Sequence, residues 1–285
     1  MEQHMKAGQR EKAALLSDLH HRDEPLVFAN VWDAASARIV ESLGFPAVAT
    51  SSGGVAFAQG YPDGHRIARA VMLERVAVIA SAVALPVTAD LEGGYGPTVD
   101  DAIATARGAI EAGAVGLNFE DAAHGADAPL IDMRVQAERI QAIRRTGESL
   151  GIPLVINART DVYHGNAGTP ESKLREALER AKAYAAAGAD CIFVPFVTDA
   201  ETIGKLAAGI ELPLNILAGA QTPDVAGLAR LGVKRISTGS GPAAYALAMF
   251  RKAALEIRDG GTFGFAAERM SSPELNALFA KRPSM

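Results

Sequence analysis

Cysteine is nearly absent: Cys191 is the single one in 285 residues. That excludes an internal disulfide and any multi-cysteine zinc or iron–sulfur site, and it fits a reducing compartment. Blocks of lysine or arginine are missing too, and the formal net charge is -5, so neither nucleic acid nor an anionic membrane surface is an expected partner. No apolar run approaches the roughly 18 residues that a membrane span needs, and the opening MEQHMKAGQREKAALLSDLHHRDE is charged throughout, without the apolar core of a signal peptide. The expectation is a cytoplasmic protein that works on small molecules. Linkers and low-complexity stretches are also missing, so residues 1–285 are expected to form one domain, with 1–25 as a preceding helix and 242–285 as a C-terminal helical segment.

What is present is a recurring unit. A short run of Val, Ile, Leu and Ala ends in a polar loop, and an amphipathic stretch closed by Gly follows. The runs are LVFANVWD from Leu26, AVATSSGG from Ala47, PVTADLEGG from Pro86, VGLNFEDA from Val115, PLVINARTD from Pro153, CIFVPF from Cys191, PLNILAG from Pro213 and RISTGSG from Arg235. Between them lie helical candidates such as SARIVESLG and TPDVAGLARLG, for which Ser36 and Thr222 are the expected N-caps and Pro223 the first helical residue. Eight such units make an α/β protein of the (β/α)8 TIM-barrel class, with an extra N-terminal helix. A doubly wound open sheet is the competing arrangement.

Side chains at i and i+2 of a strand share a face, and barrel chemistry sits at the C-terminal strand ends. Strand three ends on Asp90 and Glu92, strand four on Asn118 and Glu120, and strand five on Asn157 and Arg159. Any one such residue can be a turn former or helix cap, and Arg159 has Asp161 and Glu120 as salt-bridge candidates; eight ends around one mouth favour a site. Asp90, Glu92 and Glu120, joined by Asp63, would face one another there, and two like charges about 4 Å apart at an effective dielectric of 20 repel by roughly 4 kcal/mol. Such a cluster protonates or holds a cation. With oxygens as the only ligands the cation is a hard one, Mg2+, with Mn2+ as a substitute. Arg159 can take a substrate carboxylate, and the hydroxyls and glycine amides of Ser51, Ser52 and Gly53 lie beside the same anion.

The set SSGGVAFAQGYPDG, TADLEGGYG, NFEDA and INARTD, in this order on strands two to five, resembles the isocitrate lyase/phosphoenolpyruvate mutase superfamily over roughly Asn30 to Tyr245. The resemblance implies a homotetramer that exchanges the helix after strand eight, and cleavage or formation of a C–C or C–P bond beside a 2-oxo acid through a Mg2+-bound enolate. It implies Asp90 as the main metal carboxylate, with Asp63, Glu92 and Glu120 around it largely through water, and Arg159 as carboxylate clamp with Ser51, Ser52 and Gly53. Glu92 stands where many members have Asp.

The chain departs from these relatives on the loop after strand four, EDAAHGADAPLIDM. It has neither the cysteine motif of isocitrate and methylisocitrate lyases nor the lysine and asparagine of the C–P enzymes, for Ala126, Asp127 and Ala128 occupy that region. What remains is a lyase acting on a small oxaloacetate-like 2-oxo or 2-hydroxy acid, by decarboxylation or retro-aldol cleavage. Arg159, Glu120 and His124 are its candidate catalytic residues, Tyr163 and His164 are alternative proton carriers, and Asn215, with Phe196 and Thr238, is expected to shape the substrate pocket. Phosphoenolpyruvate mutase or phosphonopyruvate hydrolase chemistry, a phosphate-binding barrel using TGSGP at 238–242, and a non-catalytic 2-oxo acid binder are the alternatives.

Overall fold

The computed structural model describes residues 2–122, 130–165 and 167–280, with side chains from residue 7. Eight parallel strands follow the eight apolar runs: β1 (Leu26–Phe28), β2 (Val48–Ala49), β3 (Val87–Asp90), β4 (Gly116–Glu120), β5 (Val155–Arg159), β6 (Cys191–Val194), β7 (Leu214–Leu217) and β8 (Arg235–Ser237). They pair in the order β1-β8-β7-β6-β5-β4-β3-β2. Between β1 and β2 a single parallel bridge, Val31 to Thr50, completes the ring, so the sheet is a nearly closed barrel rather than an open doubly wound sheet.

Around it run α2 (Ala34–Ser42), α3 (Ser52–Ala58), α4 (Arg69–Ala82), α5 (Val99–Glu111), α6 (Met133–Ser149), α7 (Pro170–Ala186), α8 (Ala200–Gly209), α9 (Val225–Arg230) and α10 (Gly241–Leu255). Alternate strand residues such as Leu117, Ile156, Ile192, Ile216 and Ile236 are fully buried in the apolar core, which Ile140, Ile143, Ile203 and Leu206 of the helices complete. The other parity fills the barrel with polar groups, among them Asn118, Asn157, Asn215 and Arg235.

Two expected caps shift by a few residues. Asp33 caps α2, accepting the Ser36 N–H at 2.7 Å, while the Ser36 hydroxyl accepts the Asp33 N–H at 3.1 Å. Ser36 is thus the reciprocal member of a capping box. In α9 the cap is Asp224, which accepts from Gly227 N, and Pro223 precedes it; the Thr222 hydroxyl turns back to Gly219 O at 2.9 Å. A carboxylate outcompetes the hydroxyl in both places because charge strengthens its bond to the exposed helix amides.

The helix expected before β1 is α1 (Glu2–Leu19), and it closes the N-terminal end of the barrel. Leu16 is fully buried, and a Cβ on Gly116 would fall 2.9 Å from its Cδ2, so only glycine at the start of β4 lets the helix seat. At the other terminus α10 buries only Ala243 and exposes Tyr245, Leu247, Met249 and Phe250, before α11 (Ser272–Ala280) returns to α2, where Arg38 donates to Leu278 O at 3.0 Å. Among the described residues no helix is long and apolar enough to cross a membrane.

Candidate active site

The strand ends bring the acidic residues together at one mouth. Asp90 closes β3, and its Oδ2 accepts from the Ser52 backbone N–H at 2.9 Å and the Ser52 hydroxyl at 2.7 Å. Its other oxygen faces Asn118 Nδ2 at 3.3 Å, and its own N–H donates to the Thr50 hydroxyl. Three donors from Ser52 and Asn118 therefore hold the carboxylate, and Thr50 holds the backbone of the same residue. Glu92 does not continue the strand's alternation as expected from the spacing: its φ of 51° is left-handed, and that bend, not the pleat, carries its side chain into the mouth. Burial, then the charges of Asp90 and Glu120, push the Glu92 carboxyl up to about 8, and Asp63 is raised first by burial and further by the same neighbours. The predicted like-charge repulsion is present.

Parallel register sets Glu120 beside Arg159, and the two pair at 2.8 Å. The guanidinium Nε donates to Asp161 Oδ1 at 2.8 Å, and Nη2 is ion-paired with the same oxygen at 2.8 Å. Burial alone would lower the arginine; the Glu120, Asp161 and Asp90 carboxylates more than offset it and hold it above its ordinary value. Nε is thus bonded and both Nη nitrogens are ion-paired, and each Nη carries a second N–H that can face a ligand. Both salt-bridge candidates weighed from sequence are real, and they orient the group. Asp161 itself is raised to about 7, by burial first. Phe193 and Phe196 lie 5.8 Å from the guanidinium, and His164 stacks on Phe196 at 4.8 Å.

His65, absent from the sequence-based candidates, also lies in this cluster. Its Nε2 is 3.1 Å from Glu92 and 3.8 Å from Glu120, its backbone N–H donates to Glu92, and the three side chains offer ligand atoms within 4.8 Å of one another. Nε2 nevertheless accepts the Gly93 N–H at 3.0 Å. A cation at this mouth would meet the Glu92 and Glu120 oxygens with the His65 ring beside them. The donor set and its repulsion fit a hard divalent ion. Among the described residues the non-glycine residues in left-handed conformation are His65, Glu92, Tyr95 and Phe196, and all belong to this rim. Backbone strain concentrated at one place is a mark of a functional site.

Ser51 caps α3, accepting from Gly54 N, so the SSGG stretch is a helix start rather than only a turn. Gly53 packs directly against the Asp63 carboxylate: a Cβ there would fall 2.6 Å from Oδ2. Asn215 lies inside the barrel, fully buried, in register with Arg235 and accepting from the Ser237 hydroxyl at 2.8 Å. The amides of Thr238 and Gly239, which a phosphate after β8 would need, donate to Asn30 Oδ1 at 2.9 and 3.2 Å. Cys191 is buried, and burial raises its thiol to about 12. His124, Ala126, Asp127 and Ala128 lie outside the described residues.

Residues 15–258 match the family described as phosphoenolpyruvate phosphomutase. An oxaloacetate decarboxylase of Rhodopseudomonas palustris (strain BisB5) is 34% identical, the match covering 81% of this chain and 80% of the relative. A 2-methylisocitrate lyase of Halalkalibacterium halodurans is 29% identical, covering 76% and 71%. A crystal structure from Burkholderia cenocepacia J2315, provisionally described as a lyase/mutase, superposes with a TM-score of 0.89 at 38% identity, covering 96% of this chain and 98% of that one.

Proposed function

The chain belongs to the phosphoenolpyruvate phosphomutase family, and from that premise we propose that it is a divalent-cation-dependent lyase that breaks a C–C bond beside the 2-oxo group of a small oxaloacetate-like acid. The observation that carries this reading is the convergence of Asp63, Asp90, Glu92 and Glu120 on one mouth beside Arg159. The oxaloacetate decarboxylase relative supports the substrate class.

Asp90 would be the chief metal carboxylate, with Asp63, Glu92 and Glu120 around it, and Mg2+ is the fitting ion with Mn2+ as substitute. When bound, the ion supplies Lewis acidity where charge develops on the 2-oxo oxygen. Arg159 binds the substrate carboxylate with its remaining N–H groups. Glu120 and Asp161, each 2.8 Å away, fix that guanidinium before substrate arrives, so its orientation costs nothing during reaction. Ser52 fixes Asp90, and Ser51 and Gly53 shape the adjacent helix start. Phe193 and Phe196 flank the clamp, with His164 stacked on Phe196. His124, Tyr163 and His164 are the proton carriers for this reading, and Asn215 bears on the pocket from beneath.

C–P chemistry is the second reading. It is weakened by the absence of the lysine and asparagine from the loop after β4, while the prior engagement of the Thr238 and Gly239 amides weakens the separate reading of a phosphate-binding barrel. The assembly in the first reading is a cytoplasmic homotetramer built on the exposed apolar face of α10.

The test is pyruvate release from oxaloacetate, substituted malates and phosphonopyruvate, with Mg2+ and with EDTA. Turnover of a C–C substrate that EDTA abolishes is expected. Asp90→Ala and Arg159→Ala should each lower kcat/KM by at least about a thousandfold, as loss of a principal charge-stabilising group does. Full activity in EDTA or in either variant removes the proposal.

A further inference from the structure

Beneath the carboxylates lies a cation that the proposed chemistry does not use. Arg235 opens β8 and projects into the barrel, where it is fully buried. Barrels of this class fill that space with branched apolar side chains, and a buried guanidinium is costly unless it is paired. Among the described residues no carboxylate forms a salt bridge with it, and its Nε has no hydrogen-bond partner. Its partners are neutral: Nη1 lies 3.2 Å from His20 Nε2, Nη2 donates to Asn118 Oδ1 at 3.2 Å, and the group rests 4.8 Å from the centre of the Phe28 ring.

Each neutral partner is itself oriented. His20 Nδ1 lies 2.7 Å from Leu16 O and must donate to it, so Nε2 presents its lone pair to Arg235. Burial first, and the arginine second, hold the imidazole pKa down at about 3, which keeps the ring neutral. Asn118 Oδ1 accepts twice, from Arg235 and from Asn157 Nδ2 at 2.7 Å. Two donors on one carbonyl oxygen fix the amide, and its Nδ2 is then directed at Asp90 Oδ1, 3.3 Å away. A flipped amide would turn an oxygen toward the carboxylate and leave Arg235 and Asn157 without an acceptor.

We propose that Arg235 is a positioning residue: through Asn118 it fixes the Asp90 carboxylate from below, as Ser52 fixes it from the side, and so sets the affinity of the mouth for a divalent cation. This rests on the reading of Asp90 as the chief cation-binding carboxylate. It ties α1, through His20, to the site at the opposite end of the barrel.

Mn2+ titration of the purified, metal-stripped, substrate-free protein, followed by the EPR signal of free Mn2+, reads this directly. Arg235→Met is expected to weaken Mn2+ binding by about tenfold or more, the size of effect that groups behind a metal ligand have. Asn118→Leu should do the same, and the double variant should bind no more weakly than Asn118→Leu alone, because the arginine acts through the asparagine. A structural role would give independent effects that multiply. Wild-type affinity in Arg235→Met, or multiplying effects in the double variant, overturns the proposal. If far-UV circular dichroism shows Arg235→Met unfolded, Arg235→Lys, which keeps the charge and loses the fork, carries the same cycle with the same two outcomes. Asp90→Asn separates the two levels. Unchanged Mn2+ binding there removes the reading of Asp90, whereas lost binding there with wild-type affinity in Arg235→Met removes the positioning role alone.

Discussion

At the scale of single residues, Glu92 is held in a left-handed conformation and against like charges at once. Each costs on the order of 1 kcal/mol or more, a cost that the proposed cation would offset. Glu92→Gln should raise the melting temperature in EDTA by a few degrees, and the further rise that Mg2+ gives the wild type should largely vanish; differential scanning calorimetry with and without Mg2+ checks both. His20 gives the opposite lesson. Its folded pKa of about 3 lies below the ordinary 6.5, so the unfolded chain binds the extra proton. Its contribution to stability is complete above 6.5 and is lost as pH falls toward 3, at about 1.4 kcal/mol per pH unit within that window. Urea midpoints at pH 7 and pH 5 should converge in His20→Gln relative to the wild type.

Asp90, Glu120 and Arg159 were legible because they are still inside their strands, where alternation holds. Glu92 entered the candidate set by the same parity although its strand had already ended. His65 had no such signal, because a histidine in the loop QGYPDGH after α3 is placed by a bend that no local periodicity announces.

At the scale of elements, all eight strands were readable from their apolar runs, since both faces of a barrel strand are buried. Their capping residues were less so: DAAS and TPD each hold two competent caps three or two positions apart, and only the folded geometry shows that the carboxylate takes the helix. The helix start at Ser51 was hidden because serine and glycine fit a turn equally well. Ser51→Ala should cost about 1 kcal/mol by removing the cap of α3, read as a lowered urea midpoint. Gly116→Val should cost about 1–3 kcal/mol by overpacking, because its side chain would need the space of Leu16 and of Val155 O, 2.9 Å from its Cβ.

At the scale of the whole molecule, the apolar side of α10 stands out, with Phe250 74% and Tyr245 68% exposed in the single chain. A patch of that kind suits an interface between subunits, as the proposed tetramer needs. In the tetramer reading, Tyr245→Asp combined with Phe250→Asp should give a smaller species by light scattering while far-UV circular dichroism stays unchanged; an unchanged mass would remove α10 from the interface.

The ring of strands is stitched by continuous ladders everywhere except between β1 and β2, where one bridge and the side chain of Asn30 do the joining. Thr50, in that bridge, supports Asp90, and the same asparagine holds the amides that follow β8. The weakest seam of the barrel therefore runs through its working face. Heat or denaturant that first parts this seam would unmake the proposed cation site while the remaining strands and helices are still folded, so the proposed activity should be lost well before the shape.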